Sequence, residues 1–335
     1  MVHWSDVSGW SQRGIAISGT GWAARQHVPA LQTLGPPIRV IRSGSRERAK
    51  VFAEDNGIAD WTFSETWSDV AKAAPVAVVM ADNGRNRADD IEEVSSFGIP
   101  IIAEKPIALT WMDCLRAVSA VKSAAVPSAV ALVARLATVV QQMRMNLALT
   151  GSGSPRWGGF NYQGSVTPDR LKEKAWMASS RTSGGLIPLL GIHGLDLLLF
   201  LGYGPGAPPG LMSAHATSVP HETADLAQYI AGTFVLEDGF VGSVETALSS
   251  PGGPFFDIRL QSDAVTLLGG QLFGDRVPED IKGAKTIWGL DHRDTLYRRL
   301  WERIIGGDPE GDLLTIPGSL LLHQLCYALE RGGTP

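Results

Sequence analysis

Residues 14–24 read Gly-Ile-Ala-Ile-Ser-Gly-Thr-Gly-Trp-Ala-Ala, an apolar strand pattern followed by a glycine-rich turn and the start of a helical pattern. The turn matches G-x-G-x-x-A. Its first glycine permits a tight turn, its second lets a pyrophosphate approach the backbone, and its small third residue lets helix and strand pack closely. Free amides at the helix N-terminus suit the phosphates. The stretch therefore predicts a dinucleotide site made by Gly19, Thr20, Gly21, Trp22 and Ala24.

Apolar strand patterns alternate with helical patterns from this turn to about residue 135. Strands are predicted at 38–42, 76–80, 99–103 and 129–133. The strand at 76–80 is apolar at every position, as strands of a parallel sheet buried on both faces are. This alternation predicts a doubly wound parallel sheet, and residues 1–135 form the first predicted domain.

The pattern changes in residues 136–335, which form the second predicted domain. Longer strands are predicted at 156–164, 211–219, 227–236, 239–247 and 255–261, with helices at 184–201, 291–305 and 318–331. Glu237-Asp238-Gly239 is a hairpin signal between two of these strands. The second domain is therefore predicted to be α+β, with an open and mostly antiparallel sheet.

Glu104-Lys105-Pro106 directly follows the predicted strand at 99–103. A lysine just past the carboxyl end of such a strand lies where open α/β sheets bind ligands. In that low-dielectric position an amine can transfer a proton near neutral pH. For the tripeptide alone, a solvated surface lysine is the alternative.

The segment after the second strand, Ser43-Gly44-Ser45-Arg46, lacks an acidic residue. A carboxylate there would bind the ribose 2′-hydroxyl of NAD, whereas a serine and a guanidinium suit a 2′-phosphate. Ser45 and Arg46 therefore predict NADP(H), with NAD(H) as the alternative cofactor. If Arg46 only caps a helix or faces water, the sequence gives no reason to prefer NADP(H).

Gly191-Ile192-His193-Gly194-Leu195-Asp196 lies on the helix predicted at 184–201. His193 and Asp196 are three residues apart and occupy neighbouring helix positions, so the carboxylate could orient the imidazole. A histidine on an apolar helix is otherwise most often a satisfied core residue.

Composition excludes several classes of protein. A net charge of −5 with a pI of about 5.8 argues against nucleic acid or an anionic membrane as partner. The only cysteines, Cys114 and Cys326, are far apart and form no disulfide or zinc pattern, so no metal site is predicted. The N-terminus has no apolar signal segment, and we expect a cytoplasmic protein.

Taken together, these motifs resemble the Gfo/Idh/MocA family of glucose-fructose oxidoreductase, inositol dehydrogenase and relatives, from about Gly14 to Glu330. The resemblance implies a Rossmann domain, a C-terminal sheet that packs against another subunit in a homo-oligomer, and a Lys-Pro bond that is often cis. It implies that Lys105 binds and polarises the substrate oxygen and that His193 is the acid/base. The cofactor contacts that it implies, beyond the glycine turn, are Ala81, Asn83, Glu104, Lys105 and Pro106.

Two segments depart from the family patterns. The D-x-G-x-H motif has aspartate four residues before the histidine, where this chain has Leu189. The A-T-P-N-x-x-H motif corresponds to Ala-Asp-Asn-Gly-Arg-Asn-Arg at residues 81–87. The pocket beside the nicotinamide must therefore differ from the usual one, and loss of the aspartate puts ordinary sugar-alcohol oxidation in doubt.

The sequence thus predicts an NADP-dependent oxidoreductase that transfers a hydride between nicotinamide and a carbonyl or alcohol carbon. A ketosugar reductase is the main hypothesis, with Lys105, His193, Arg135 and Trp176 contacting the substrate. Arg135 and Trp176 are candidates by position alone, as are Tyr162 and Lys174. The alternatives are a reductase of a less polar carbonyl or a cyclic imine, motivated by Leu189, and a dinucleotide-binding protein without catalysis.

Overall fold

A computed structural model describes residues 3–149, 155–164, 166–205, 208–249, 255–262, 265–268, 271–273, 293–308 and 311–333. The chain divides into two compact units. The first unit comprises Met1–Ala108, Met112–Val133 and Asp291–Leu320, and the second comprises Leu109–Trp111, Ala134–Leu290 and Leu321–Pro335. The first unit thus includes residues 291–320, which lie within the second domain predicted from the sequence.

The described strands and α-helices are numbered in chain order. The strands are β1 (Ile15–Ser18), β2 (Ile38–Arg42), β3 (Thr62–Ser64), β4 (Ala77–Met80), β5 (Ile101–Ala103), β6 (Ser128–Val130), β7 (Trp157–Gln163), β8 (Leu211–Pro220), β9 (Ala227–Leu236), β10 (Val241–Ala247), β11 (Phe255–Gln261), β12 (Thr266–Leu268) and β13 (Gln271–Phe273). The helices are α1 (Trp10–Arg13), α2 (Trp22–Leu34), α3 (Arg46–Asp55), α4 (Trp67–Lys72), α5 (Arg87–Ser96), α6 (Trp111–Ala124), α7 (Thr138–Leu149), α8 (Pro168–Glu173), α9 (Ser180–Ser183), α10 (Ile192–Tyr203), α11 (Arg293–Gly306) and α12 (Leu320–Arg331).

The first unit is built on a six-stranded sheet in the order β3-β2-β1-β4-β5-β6, and every pair in it is parallel. Strands β1, β4 and β5 are buried at every position. The pairing places Ser18 opposite Met80, and Met80 opposite Ala103. The loops that follow β1, β4 and β5 therefore lie side by side at the carboxyl edge of the sheet, and the predicted doubly wound fold is confirmed.

Helix α11 packs against α2 within the first unit, although more than 250 residues separate them in the sequence. Its apolar side chains Leu296, Leu300 and Ile304 recur at helical spacing and are all buried. This amphipathic face is why α11 joins the N-terminal unit.

The second unit contains a seven-stranded sheet in the order β13-β12-β11-β7-β10-β9-β8. Its pairs are antiparallel except for β7 with β10, which is parallel. The prediction of a mostly antiparallel sheet is thus confirmed, and the single parallel pair makes the sheet mixed. The hairpin predicted at Glu237-Asp238-Gly239 joins β9 to β10, with Gly239 in the left-handed region at φ 88°.

The helix predicted at 184–201 is a π-helix, Ile187–Gly191, that continues directly into α10. Helix α10 contacts β7 and β11, and a Cβ atom on Gly194 would lie 2.2 Å from the Phe160 ring. Glycine at this position therefore lets the helix approach the sheet closely. The stretch Ser180–Tyr203 is long and apolar enough to span a membrane, but 83% of its most apolar window is buried, which is typical of a core helix.

Candidate functional site

The glycine turn after β1 has the geometry that a dinucleotide requires. Gly19 has φ 89°, and a Cβ atom there would lie 2.8 Å from the backbone nitrogen of Asp82, so only glycine fits. Gly21 is the N-cap of α2 and offers no side chain to the first amides of the helix, and a Cβ atom on it would meet nothing within 4 Å. Ala24 is fully buried against the sheet. The residues present therefore fit a pyrophosphate at the start of α2.

Trp22 lies at the start of α2 and is 44% exposed. The guanidinium of Arg293, on α11 of the same unit, lies 4.8 Å from the centre of the Trp22 ring. This predicted cofactor residue is thus positioned at the glycine turn by a cation–π contact.

The loop after β2 carries an exposed arginine in the position predicted for 2′-phosphate recognition. Ser45 caps α3, because its hydroxyl accepts a hydrogen bond from the Arg48 backbone amide. The Arg46 guanidinium lies 4.8 Å from the centre of the Phe63 ring and has no hydrogen-bond partner among the described residues. A guanidinium stacked on an aromatic ring keeps its N–H donors available at its edge.

Arg42, the last residue of β2, has its guanidinium bound by residues of other elements. Its guanidinium lies 4.2 Å from the Trp67 ring centre and donates to Asp90 Oδ1 and to Ser18 Oγ, both at 3.2 Å. Arg42 therefore belongs to a polar cluster at the carboxyl edge of the sheet, and Arg46 remains the candidate for a phosphate.

The loop after β4 contains Ala81 and Asn83, both predicted to contact the cofactor. Ala81 is buried, whereas Asn83 is exposed and its side-chain oxygen accepts from the Arg85 backbone amide. Between them, Asp82 accepts a hydrogen bond from Ser18 Oγ at 3.1 Å. The ends of β1 and β4 are therefore connected directly.

The carboxylate of Glu104 is directed into the first unit, and Glu104 is only 6% exposed. Glu104 Oε1 accepts a hydrogen bond from the Tyr297 hydroxyl at 2.7 Å and lies 3.4 Å from His27 Nε2, longer than a standard hydrogen bond. The indole N–H of Trp301 donates to His27 Nδ1 at 3.1 Å. Because an indole can only donate, His27 Nδ1 is the acceptor and the imidazole proton is on Nε2, facing Glu104. This cluster ties the Glu104-Lys105-Pro106 segment to α2 and α11.

The surroundings of Glu104 favour its ionised form. Burial acts to raise the pKa of Glu104, but the contacts from His27 and Tyr297 and the charge of Lys105 outweigh it, so the pKa lies below the ordinary value. Burial and the adjacent Glu104 carboxylate raise the pKa of Tyr297 well above its ordinary value, so its hydroxyl remains a donor. The carboxylate therefore acts as an anchor for the segment.

Replacing Tyr297 with phenylalanine will test this anchor. We expect a loss of about 1–3 kcal/mol in unfolding free energy at pH 7, because a buried carboxylate loses its donor. A lowered folded pKa contributes stability that is fully present above the unfolded pKa, about 4.3, and that is lost as the pH falls through the folded pKa. The difference between variant and wild type, measured by urea unfolding, should therefore shrink between pH 5 and pH 3.

Tyr203→Phe is the matched control for Tyr297→Phe, because its hydroxyl also donates to a carboxylate, that of Asp238, but at an exposed position. We expect a smaller loss of stability and a weaker pH trend for this control, because water can replace the lost donor at an exposed carboxylate. A Tyr297→Phe difference that is constant from pH 3 to pH 7 would show that Glu104 is not the group involved.

Lys105 follows Glu104 and precedes a cis peptide bond to Pro106. Lys105 is half-buried, whereas Pro106 is buried. The anchored Glu104 on one side and the buried Pro106 on the other therefore place Lys105 at the carboxyl edge of the sheet, beside the loops that follow β1 and β4.

In the second unit, His193 lies in the first turn of α10 and is half-buried. The sequence predicts that Asp196 orients the His193 imidazole. Arg135 competes for that carboxylate, because both oxygens of Asp196 accept hydrogen bonds from the Arg135 guanidinium at 2.6–2.9 Å. Arg135, predicted to contact substrate, is 6% exposed, and its guanidinium lies 4.8 Å from the Phe200 ring centre. Arg135 and Asp196 form a buried ion pair. Burial raises the pKa of Asp196, and the positive charge of Arg135 opposes that rise.

The π-helix before His193 is capped by a residue from α12. Glu330 Oε2 accepts a hydrogen bond from the backbone amide of Ile187 at 2.7 Å.

Leu189, at the position of the family aspartate, is 4% exposed. Trp176, the remaining substrate candidate, lies in a 3₁₀ helix, Ala175–Ala178, and is 40% exposed. π-Helices occur frequently at functional sites, which agrees with a functional role for the π-helix Ile187–Gly191.

Sequence reasoning missed two residues that bind the Glu104-Lys105-Pro106 segment. Arg87 was noted only as a departure from the family motif, yet it is buried and donates to the Glu104 carbonyl oxygen. Tyr297 lies 193 residues from its partner Glu104. An arginine at a position where the motif has histidine was a usable signal for the first, whereas no sequence pattern signals the second.

Comparison with family models gives two adjacent matches. Residues 13–132 match the model of an oxidoreductase family with an NAD-binding Rossmann fold. Residues 140–266 match the GFO/IDH/MocA C-terminal domain. The two matches agree with the glycine turn and the mixed sheet described above.

A D-apiose dehydrogenase of Paraburkholderia graminis is 25% identical over 187 residues, which are 56% of this chain and 48% of that protein. The match thus spans about half the length of this curated relative. The WlbA dehydrogenase from Bordetella pertussis, solved with NADH and UDP-GlcNAcA, has a TM-score of 0.78 at 18% identity, covering 96% of this chain and 97% of that one.

A levoglucosan dehydrogenase, solved with NADH and levoglucosan, has a TM-score of 0.77 at 16% identity and covers 95% of this chain and 96% of that one. At these identities the two structures show a shared fold. With both of its family models matched, over residues 13–132 and 140–266, the chain belongs to the Gfo/Idh/MocA family of oxidoreductases.

Proposed function

We propose that this protein is an NADP-dependent reductase that delivers a hydride from NADPH to the carbonyl carbon of a sugar-like substrate, with a ketosugar as the main class. The observation that supports the cofactor preference is Arg46, whose stacked guanidinium has no hydrogen-bond partner among the described residues. The substrate class is supported by the relatives, a D-apiose dehydrogenase and structures that hold levoglucosan or UDP-GlcNAcA. Those two structures hold NADH, so the NADP preference rests on the residues of this chain.

Two side chains carry the proton chemistry in this proposal. The bound nicotinamide supplies the hydride to the carbonyl carbon. Lys105 binds and polarises the carbonyl oxygen, and Lys105 or His193 delivers the proton that converts the developing oxyanion to a hydroxyl. Solvent then returns the proton to that side chain, which balances the reaction. Trp176, exposed in the same unit as His193, remains a proposed substrate contact, whereas for Arg135 we propose a role inside the unit as the partner of Asp196.

Arg46→Ala will test the cofactor preference. We expect NADPH to bind wild type at least tenfold more tightly than NADH, a difference of about 1.4 kcal/mol. The variant should lose that tenfold advantage while its NADH affinity changes less than twofold, because only the 2′-phosphate contact is removed. Titrations that follow nicotinamide fluorescence measure both affinities. Lys50→Ala, on the same helix and paired with Glu54, is the control.

Equal binding of NADPH and NADH to the wild type would remove the 2′-phosphate argument and leave the fold unchanged. A variant that binds NADPH as the wild type does would assign that contact to another residue.

A substrate panel with NADPH separates the remaining alternatives. Turnover of free or nucleotide-linked ketosugars supports the main proposal. Turnover restricted to less polar carbonyls or cyclic imines would favour the alternative that Leu189 motivates, since that position is apolar and buried. Binding of NADPH without turnover of any of these classes would favour a dinucleotide-binding protein without catalysis.

A homo-oligomer joined through the C-terminal sheet and a cytoplasmic location complete the proposal. The first is supported by the family, and the second by the low cysteine content, two residues in the sequence, which suits a reducing compartment. Multi-angle light scattering of the full chain measures the oligomeric state.

A further inference from the structure

Arg87 is a buried arginine that joins two loops at the carboxyl edge of the six-stranded sheet. It is 1% exposed. Its Nη1 atom donates to the carbonyl oxygens of Glu104 and Pro106, both at 2.6 Å. Its Nη2 atom donates to the carbonyl oxygen of Asp82 and lies 3.3 Å from Asp82 Oδ1. One guanidinium therefore holds the loop after β4 against the loop after β5.

The two carbonyl groups bound by Nη1 belong to the residues on either side of Lys105. The backbone of Lys105 is thus held from both directions by a single nitrogen atom. The planar guanidinium presents donors in fixed directions, so it can serve both loops at once. A lysine at position 87 would carry the same charge as a compact ammonium and could not reproduce this fork.

The surrounding residues leave room for this arrangement. Gly84 has φ 75°, and a Cβ atom there would lie 3.2 Å from Arg87 Nη1. Asp82, the carboxylate partner of Arg87, also accepts from Ser18 Oγ. The contacts thus connect the ends of β1, β4 and β5, where open α/β sheets bind their ligands.

Burial of a guanidinium is costly unless the group is paired and hydrogen-bonded. Three backbone oxygens and one carboxylate satisfy the two terminal nitrogens of Arg87, and only its Nε–H lacks a hydrogen-bond partner among the described residues. The A-T-P-N-x-x-H motif that this segment resembles has histidine at the corresponding position, so the fork is a feature of this chain. The fork holds the carbonyl groups on both sides of Lys105, so it fixes the backbone of that residue.

We propose that Arg87 is a positioning residue for Lys105, fixing the place of the ammonium group at the carboxyl edge of the sheet without touching the substrate. This inference rests on the role proposed for Lys105 in the reduction.

Arg87→Lys is the variant that tests the inference, because it keeps the charge and removes the fork. We expect kcat to fall about 100-fold, the order expected for a misplacement of about 1 Å. The KM for substrate and the dissociation constant of NADPH should stay within threefold of wild type. Arg85→Lys, an exposed arginine in the same loop, should leave kcat unchanged.

A second readout needs neither substrate nor cofactor. The rate at which an amine-reactive reagent such as trinitrobenzenesulfonate modifies Lys105, followed by peptide mass spectrometry, reports the position and exposure of its amine. We expect Arg87→Lys to change this rate at least threefold, while the rate at Lys122, an exposed lysine on α6, stays constant. Arg87→His, which restores the histidine of the motif, should give an intermediate rate and serves as the test if Arg87→Lys does not fold.

A folded Arg87 variant with wild-type kcat and wild-type labelling of Lys105 would overturn the inference. So would a loss of activity explained entirely by weaker NADPH binding, since Arg87 would then act on the cofactor loop. If the wild type reduces no member of the substrate panel, the proposed function fails, whereas the labelling rates still decide whether Arg87 positions Lys105.

Discussion

Replacing Lys105 with methionine will lower kcat/KM by about 10²- to 10⁴-fold, the contribution usual for a positioned general acid. Methionine approximates the length and apolar stem of lysine but can neither polarise a carbonyl oxygen nor donate a proton. Affinity for NADPH should fall far less than kcat/KM does, because only the cofactor contact of Lys105 is lost and the glycine turn and Arg46 are untouched. Steady-state reduction of the panel substrate, with NADPH oxidation followed by absorbance, measures the loss.

Two further variants define what Lys105 contributes. Lys105→Arg keeps a positive charge but does not release its proton at accessible pH, so a partial recovery would measure the part due to charge alone. Lys72→Met, at an exposed lysine of α4 that pairs with Asp69, is the control and should retain full turnover. Full turnover by Lys105→Met with its true substrate would remove Lys105 from the mechanism and leave His193 as the proton donor.

Replacing Asp196 with alanine will strongly lower the stability of the second unit. The variant leaves the Arg135 guanidinium buried without its carboxylate, a change that typically costs about 3–5 kcal/mol. Urea unfolding followed by circular dichroism and by tryptophan fluorescence should show a lower midpoint for the transition of the second unit. Asp169→Ala removes the exposed carboxylate that pairs with Lys172, and the midpoint should be unchanged in this control.

A double replacement distinguishes loss of the pair from loss of packing. Arg135→Met combined with Asp196→Leu removes both charges and keeps apolar volume, and such exchanges of a buried pair are often neutral or stabilising. We therefore expect the double variant to recover most of the stability that Asp196→Ala loses. If Asp196→Ala itself retains the wild-type midpoint, the pair does not hold the second unit together.

Local patterns predicted the elements whose formation depends on near neighbours. The strand, turn and helix at residues 14–24 and the hairpin at Glu237-Asp238-Gly239 were both confirmed. Each depends on apolar periodicity and on glycine conformations within a few residues. The mixed pairing of the second sheet was harder to predict, because the parallel partners β7 and β10 are separated by more than 75 residues.

The features of the candidate site also divide into those that local patterns predicted and those that depend on contacts distant in sequence. Lys105, His193, Gly19 and Arg46 could be named because each lies in a short motif with its own chemistry. The contacts of Glu104 and Asp196 could not be predicted, because a carboxylate beside a lysine or three residues from a histidine suggests a partner nearby in sequence. The structure instead pairs Glu104 with Tyr297 and Asp196 with Arg135, 61 residues away.

The sequence by itself determined the fold class, the glycine turn and the two candidate proton donors, since these follow from residue type and spacing over short distances. Only the tertiary structure decided which polar side chains are buried and with whom they pair. Arg87 shows the reason: its role comes from carbonyl oxygens 17 and 19 residues away that β-strand pairing brings to the same edge of the sheet. Desolvation then makes each buried charge depend on such distant partners, which a local pattern does not encode.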